Sequence, residues 1–440
     1  MLIATALVLM MTIPGLARFY GGLVRAKNVL STLMHSFFCA ALISVVWVAL
    51  GYSIAFGPSE GLWIGGLDYV GLAGVANTNH PLAPTIPHDL FVAYQLTFAI
   101  ITPALISGAF AERMRFSAFA LLMALWSVVV YAPLAHWVWG GGWIGTSIGA
   151  LDFAGGTVVH ISSGVSALVC ALYLGRRHGC GKEAMPPHNL PFTTIGAGLL
   201  WVGWFGFNAG SALGSNELAS LALINTNTAA AAAALSWMLV EMFRTGKPTL
   251  LGLASGAVAG LVVITPAAGF VTPMSALAMG LLGGVVCYFA VALKPKLGYD
   301  DALDVVGIHF VGGTLGAIPT GVFATAKANS AIPILTSGGN PEAPTTIFGT
   351  MPGGLIDGHP QLVLTQTIAV LATNSYAGAV TWGLLQLIDR IFPVRAPLAD
   401  EVLGMDLSHH RERGYVLGGD RAVTGASCAA DRSSGVVTRN

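Results

Sequence analysis

The chain has 440 residues, of which 55% are hydrophobic and only 9% charged, and its 20 basic and 20 acidic side chains cancel to a formal net charge of zero. So little charge cannot cover a water-soluble protein of this length, and a neutral balance offers nucleic acid no basic field. The 56 glycines are the usage expected where transmembrane helices pack closely.

Apolar runs of about twenty residues, the length that crosses a bilayer, fall at 1–24, 29–56, 89–112, 116–139, 153–175, 192–211, 217–243, 250–270, 273–293, 302–324 and 361–388. They predict an all-α polytopic membrane protein with eleven transmembrane helices in a domain over residues 1–392. Span one begins at Met1 without a charged leader, and Arg18 interrupts it. Either that helix starts abruptly at the outer surface or the start lacks a few residues. Residues 57–88 and 325–360, rich in Gly, Pro and Asn, lack the periodicity of a packed element and are expected over the external mouth. From Pro393 the chain turns polar, and 393–440 reads as a cytoplasmic tail whose last stretch, 418–440, is disordered. That tail is too short for a catalytic domain, and no nucleotide-binding loop is present, so the chain does not read as an enzyme.

Lys and Arg occupy every second connection: Arg25 and Lys27, Arg113 and Arg115, Arg176 with Arg177 and Lys182, Arg244 and Lys247, Lys294 and Lys296, then Arg390 and Arg395. The intervening connections hold only Lys327. The positive-inside rule then puts the N-terminus outside and the C-terminus in the cytoplasm. The membrane is expected to be the plasma membrane, the inner membrane of a bacterium. Five scattered cysteines, Cys39, Cys170, Cys180, Cys287 and Cys428, show no metal-binding spacing and read as inert thiols. No metal or other cofactor is expected.

Two histidines stand inside apolar spans, where an ionisable side chain is costly and usually faces a pathway. Asp152-FAGGTVV-His160-ISS-Gly164 and Asp301-ALDVVGI-His309-FVG-Gly313 share one spacing, eight residues from Asp to His and four from His to Gly. Gly15, Phe19 and Gly22 of span one likewise match Gly203, Phe207 and Gly210 of span six. Spans one to five and six to ten thus form two related halves. Because five is odd, the second half enters from the opposite side, an inverted repeat with its site at the interface of the halves. Span eleven is left to wrap the outside. His35 and His136 have no repeat partner and read as packing residues.

Over residues 1–415 the chain resembles the ammonium transporter family, Amt, related to Rh proteins. The resemblance rests on Phe19-YGGLVRAKNVLS, Gly108-AFAERMRFSAF, Asp152-FAGGTVVHIS, Lys182-EAMPPHNLP, Trp204-FGFNAGSA and Asp304-VVGIH. It implies a homotrimer with one pore per protomer and passage of ammonium, methylammonium or ammonia. Phe98, Trp139 and Ser211 would form an outer recruitment site; Phe98 and Phe207 a gate; His160 and His309 the lumen. Asp152 would shape the recruitment site from behind. Asp301 and Asp304 would act as helix caps and vestibule residues, and Thr265 would supply a hydroxyl near the pore. Tyr94 departs from the family pattern, which has Phe there. The tail segment 404–415 resembles the part that couples the pores and meets a PII-type regulatory protein, but Arg411 stands where the family usually has Gly. An ammonium sensor with little flux and an Rh-like electroneutral ammonia channel are the alternatives.

This assignment suits the chemistry. Ammonium is close to potassium in size and charge but has four N–H donors and a proton to give up. Aromatic faces attract the cation, a hydroxyl accepts one N–H, and an apolar constriction favours the neutral form. Two imidazoles sharing one N–H···N bond stay neutral together and fix each other's tautomer.

Overall fold

The structure, a computed structural model, describes residues 1–59 and 61–415. The reading of 418–440 as disordered, and Cys428, lie outside the described residues. Among these the protein is all helical. Ten helices are long and apolar enough to cross a membrane: α1 Leu2–Leu23, α2 Ala26–Phe56, α3 His88–Phe110, α4 Phe116–Thr146, α5 Gly156–Leu174, α6 Leu190–Gly210, α7 Glu217–Thr245, α9 Pro273–Leu297, α10 Val306–Phe323 and α11 Gln361–Asp389. Between them lies α8, Leu250–Ile264, shorter than the predicted 250–270. The apolar run continues past Ile264, but Pro266 ends the helix and its carbonyl accepts the Phe153 N–H at 3.0 Å. Apolarity was continuous there while helix was not.

The two halves meet where the internal match predicts. Antiparallel α1 and α6 pack tightly. Gly22 lies against Asn189 and Thr193, Gly15 against Leu200, and Gly206 and Gly210 against Ala4. The crossing of α5 and α10 repeats the device: Gly164 abuts the Phe310 backbone, and a Cβ on Gly313 would stand 3.0 Å from the His160 Cβ. The glycine four residues after each histidine is therefore where the partner's histidine turn passes. α11 packs along α5, α10 and part of α4.

At the end where the tail returns, charges are matched inside the protein. Glu112, 3% exposed, accepts from the Arg25 backbone at 2.8 Å, from Asn28 at 2.9 Å and from Arg177 at 3.1 Å, and pairs with the Arg25 guanidinium at 2.9 Å. Arg177 also grips Asp300 at 2.9 Å, and the fully buried Arg113 donates to the Asp300 carbonyl at 2.5 Å. Burial pushes the Glu112 carboxyl up, but the guanidiniums of Arg177 and Arg25 outweigh it and hold the group below its ordinary value. The tail forms α12, Leu398–Leu403, and α13, Met405–His410. Asp406 accepts the Leu30 and Ser31 N–H groups at 3.1 and 2.8 Å, and Lys27 donates to the Glu401 and Val402 carbonyls at 2.8 and 2.7 Å. α13 ends at Arg411 with φ +57°, a left-handed position that costs a side chain about 1 kcal/mol. The departure from Gly noted in the sequence thus falls where the backbone asks for Gly.

Asp301 and Asp304 part company here. Asp301 is fully buried and caps α10 by accepting the Val306 N–H at 2.7 Å, while its other oxygen has no partner. Asp304 caps nothing: it sits at φ +62° and pairs with Lys294. The spacing of acidic residues before a helix could not say which of them turned inward. Of the cysteines, Cys39, Cys170 and Cys287 are buried free thiols and Cys180 is half-buried.

Two stability measurements follow. Glu112→Ala leaves two guanidiniums without their shared carboxylate, and should lower stability by about 3–5 kcal/mol, read as a drop in the thermal midpoint of the purified protein. For Asp301, burial pushes the carboxyl up to about 6, against about 3.9 unfolded. The folded state therefore holds an extra proton, and that stability is complete below pH about 4 and is lost as pH rises to about 6. Asp301→Asn keeps an acceptor for Val306 without the charge. The midpoint of the native chain should fall relative to this variant between those pH values, by an amount on the order of 2 kcal/mol.

Candidate functional site

A vestibule of ≈480 Å³ opens at the end opposite the tail. Phe98, Trp139, Asp152, Phe153 and Ser211 line it, and Leu82, Asn329 and Leu335 of the two long loops complete its wall. The loops thus border the mouth, as their position in sequence suggests. Phe98 comes from α3, Trp139 from the C-terminal end of the α4 helix Ala132–Val138, and Ser211 from the end of α6. The Trp139 and Phe98 rings meet edge to face at 6.0 Å, and both rings border the vestibule. Ser211 donates to the Phe207 carbonyl at 2.9 Å, which leaves its oxygen lone pairs for an N–H donor. Tyr94 does not face the mouth: it is 1% exposed and donates to the Gly206 and Phe207 carbonyls at 2.9 and 2.8 Å. Its hydroxyl satisfies the C-terminal end of α6.

Beneath the vestibule the Phe98 and Phe207 rings stack at 4.2 Å with an interplanar angle of 29° and seal the floor. The column continues from Phe207 to His160 at 6.1 Å and from His160 to Trp204 at 5.5 Å. Below lies a cavity of ≈10 Å³, enclosed by apolar side chains with Trp204, His160 and His309 among them. It has room for about one water-sized molecule.

The histidines form a direct pair. His160 Nδ1 and His309 Nδ1 are 3.3 Å apart, so one ring donates and the other accepts. The rings therefore carry opposite tautomers. His160 Nε2 has no protein partner and is buried. Each histidine lies in a π-helical turn, Gly156–Ile161 and Val306–Phe310. Such a turn inserts one residue into the helical repeat and is frequent at functional sites. Sequence periodicity does not reveal it.

Asp152 organises the turn above His160. One carboxylate oxygen accepts the Gly155 and Gly156 N–H groups at 2.8 and 2.7 Å; the other accepts the Thr157 N–H at 2.7 Å and the Thr157 hydroxyl. Its backbone carbonyl accepts the Trp139 indole N–H at 2.9 Å. Gly155, at φ +118°, lets the chain turn here, and a Cβ on it would press into Val159 at 2.6 Å. One residue thus both starts α5 and fixes the Trp139 ring. Thr265 acts at one remove, because its hydroxyl accepts the Trp204 indole N–H at 2.9 Å and does not line the cavity. Asp304 stands away from both cavities.

Two residues were missed. Trp204 lies three before Phe207 on the same helical face, and Gln95 three before Phe98; that i, i+3 spacing was the available signal. Gln95 lines the vestibule with a buried carbonyl oxygen that has no protein partner. The packing reading holds for the unpaired histidines. His35 packs against Phe119 with ring centres 4.3 Å apart and planes tilted by 41°, and His136 points its two ring nitrogens at the Ala55 and Gly61 carbonyls, at 3.1 and 3.0 Å.

Comparison with known proteins places the chain in a family. The family profile of the Ammonium Transporter Family matches residues 1–415. An ammonium transporter of Bacillus subtilis is 52% identical over 411 residues, covering 93% of this chain and 96% of the relative. The crystal structure of Saccharomyces cerevisiae Mep2 superposes with a TM-score of 0.81 at 37% identity, covering 90% of this chain and 86% of that one. A solved structure described as a sensor Amt protein also gives 0.81, at 26% identity, covering 93% and 96%. The chain belongs to the ammonium transporter family.

Proposed function

We propose that the chain takes ammonium from the vestibule and passes it as ammonia through the histidine-lined cavity. The observation that carries this is the contrast across the Phe98–Phe207 stack: ≈480 Å³ with aromatic faces and oxygen acceptors above, ≈10 Å³ of apolar wall and paired imidazoles below. Trp139 and Phe98 hold the cation by about 0.5–2 kcal/mol each, and Ser211 accepts one of its N–H groups. A bare cation in the lower cavity would lose its hydration for very little return. The proton therefore leaves ammonium at the gate, either to water in the vestibule or onward into the His160–His309 pair, and Phe98 and Phe207 part to admit ammonia, whose N–H groups the pair accepts.

The distribution of Lys and Arg supports a vestibule facing outward and a tail in the cytoplasm of a plasma membrane. Membership of the family supports a homotrimer with one pore in each protomer. The docked segment 404–415 offers a site for a PII-type regulatory protein, and Arg411 there holds a left-handed backbone that Gly would adopt without strain. A second reading, sensing with little flux, comes from the likeness to the sensor Amt protein. It is set aside because the stacked gate leads onward to a second, histidine-lined cavity.

Proteoliposomes test the reading. An ammonium jump should drive uptake, with a potassium jump inert. A sustained ammonium-specific current would mean the proton follows its ammonia, whereas internal alkalinisation without current would mean ammonia crosses alone. Binding without either would favour the sensor.

Two substitutions probe the vestibule. Trp139→Leu should raise the half-saturating methylammonium concentration about 2- to 30-fold, the range of one lost cation–π contact. Asp152→Ala should abolish methylammonium uptake while the protein keeps its amount and its size in detergent. Normal uptake by that variant would refute the role given to the carboxylate.

A further inference from the structure

The backbone from Ala150 to Phe153 is not helical, although it lies beside the vestibule among membrane-spanning helices. Its polar groups must be met by protein. The Ala150 N–H finds the Ile144 carbonyl at 3.0 Å, the Phe153 N–H finds Pro266, and the Asp152 carbonyl receives the Trp139 indole. Both polar groups of Leu151 are met by one side chain, Gln366 of α11. The Leu151 N–H donates to Gln366 Oε1 at 2.8 Å, and Gln366 Nε2 donates to the Leu151 carbonyl at 2.8 Å. Nε2 also donates to the Ala317 carbonyl of α10 at 2.9 Å. Gln366 is 1% exposed, and these three bonds use its two amide protons and its oxygen. The surroundings fix the amide orientation, since the oxygen must face an N–H and the nitrogen two carbonyls.

We infer that Gln366 is a positioning residue for ammonium recruitment, acting through Leu151 and Asp152 on the Trp139 ring; this rests on the recruitment reading above. It touches no substrate. α11 lies outside the repeated halves, and its other faces present Leu364, Leu371 and Leu387 outward. Through this one amide it locks the segment that joins Trp139 to α5. When the lock is lost, Leu151 keeps two unpaired polar groups at membrane depth, and the backbone shifts to satisfy them. The Asp152 carbonyl moves with it, and the indole loses its fixed angle to Phe98.

The test measures methylammonium uptake against concentration in proteoliposomes of the full chain. Gln366→Leu should raise the half-saturating concentration about tenfold, within the range of one cation–π contact, with the maximal rate nearly unchanged. Gln366→Glu, neutral in this buried position, keeps the acceptor and one donor and should recover most of the affinity. It also guards against a Leu variant that fails to fold. Thr373→Val, two turns along α11 at a buried hydroxyl with no partner, should leave affinity as it is. The decisive comparison is the double variant with Trp139→Leu. If Gln366 works through Trp139, adding Gln366→Leu to Trp139→Leu changes nothing further. Additive losses, or a lowered maximal rate at unchanged affinity, would overturn the inference. Absence of uptake by the native chain would instead overturn the transport reading on which it rests.

Discussion

Backbone that leaves the helix inside a membrane must find every hydrogen bond within the protein, and residues 149–155 are where this chain accepts that constraint. Asp152, Gln366, Trp139 and Pro266 supply the partners from four separate parts of the chain. The vestibule follows from it. Because the chain is extended before α5, the Trp139 ring can lie against the Asp152 carbonyl rather than in the lipid. Because Asp152 gathers the first N–H groups of α5, His160 is carried down to the level of His309. Pro266 serves the same segment with its carbonyl, and as a proline it also ends α8 there although the apolar run goes on.

On the function proposed above, the aromatic column divides the work of selectivity by depth. At the mouth a cation is stabilised by ring faces in a space large enough for it to keep some water. At the stacked phenylalanines water is excluded, and the same cation would meet only apolar surface. Discrimination against potassium needs no fine measure of radius under these conditions. Potassium has no proton to surrender and, on that reading, would be stopped where ammonium can change its charge. The bonds from Ser211 and Tyr94 to the Phe207 carbonyl hold that residue at the floor of the vestibule.

Much of this was legible in the residues. Hydropathy marked eleven spans, ten of them helices long enough to cross a membrane and one the shorter α8, and the Asp-His-Gly spacing located the α5–α10 crossing, with each glycine against the partner's histidine turn. The family motifs carried Phe98, Trp139 and Ser211 to one vestibule. Three things were hidden for physical reasons. π-Helical turns leave no periodic trace, because a single inserted residue resembles ordinary drift in the helical repeat. Gln366 lies 215 residues from the backbone it satisfies, and no local pattern announces such a pairing. Asp301 and Asp304 looked alike as acidic residues before α10, and only the positive φ at Asp304 sends one outward to Lys294 while the other stays buried.

The Nδ1–Nδ1 contact of His160 and His309 has a consequence for bookkeeping in time. A proton handed through the pair arrives on one outer nitrogen and departs from the other, and both tautomers are then reversed. A second proton travelling the same way meets a donor where it needs an acceptor. The pair must first be reset, by a return hop or by reorientation of both rings. The His160 ring does not turn freely, with Trp204 and Phe207 stacked on it and Gly313 packed beneath it. A lumen that relays protons through this pair would therefore keep a one-step memory of its last proton, and its pace would be set by forgetting.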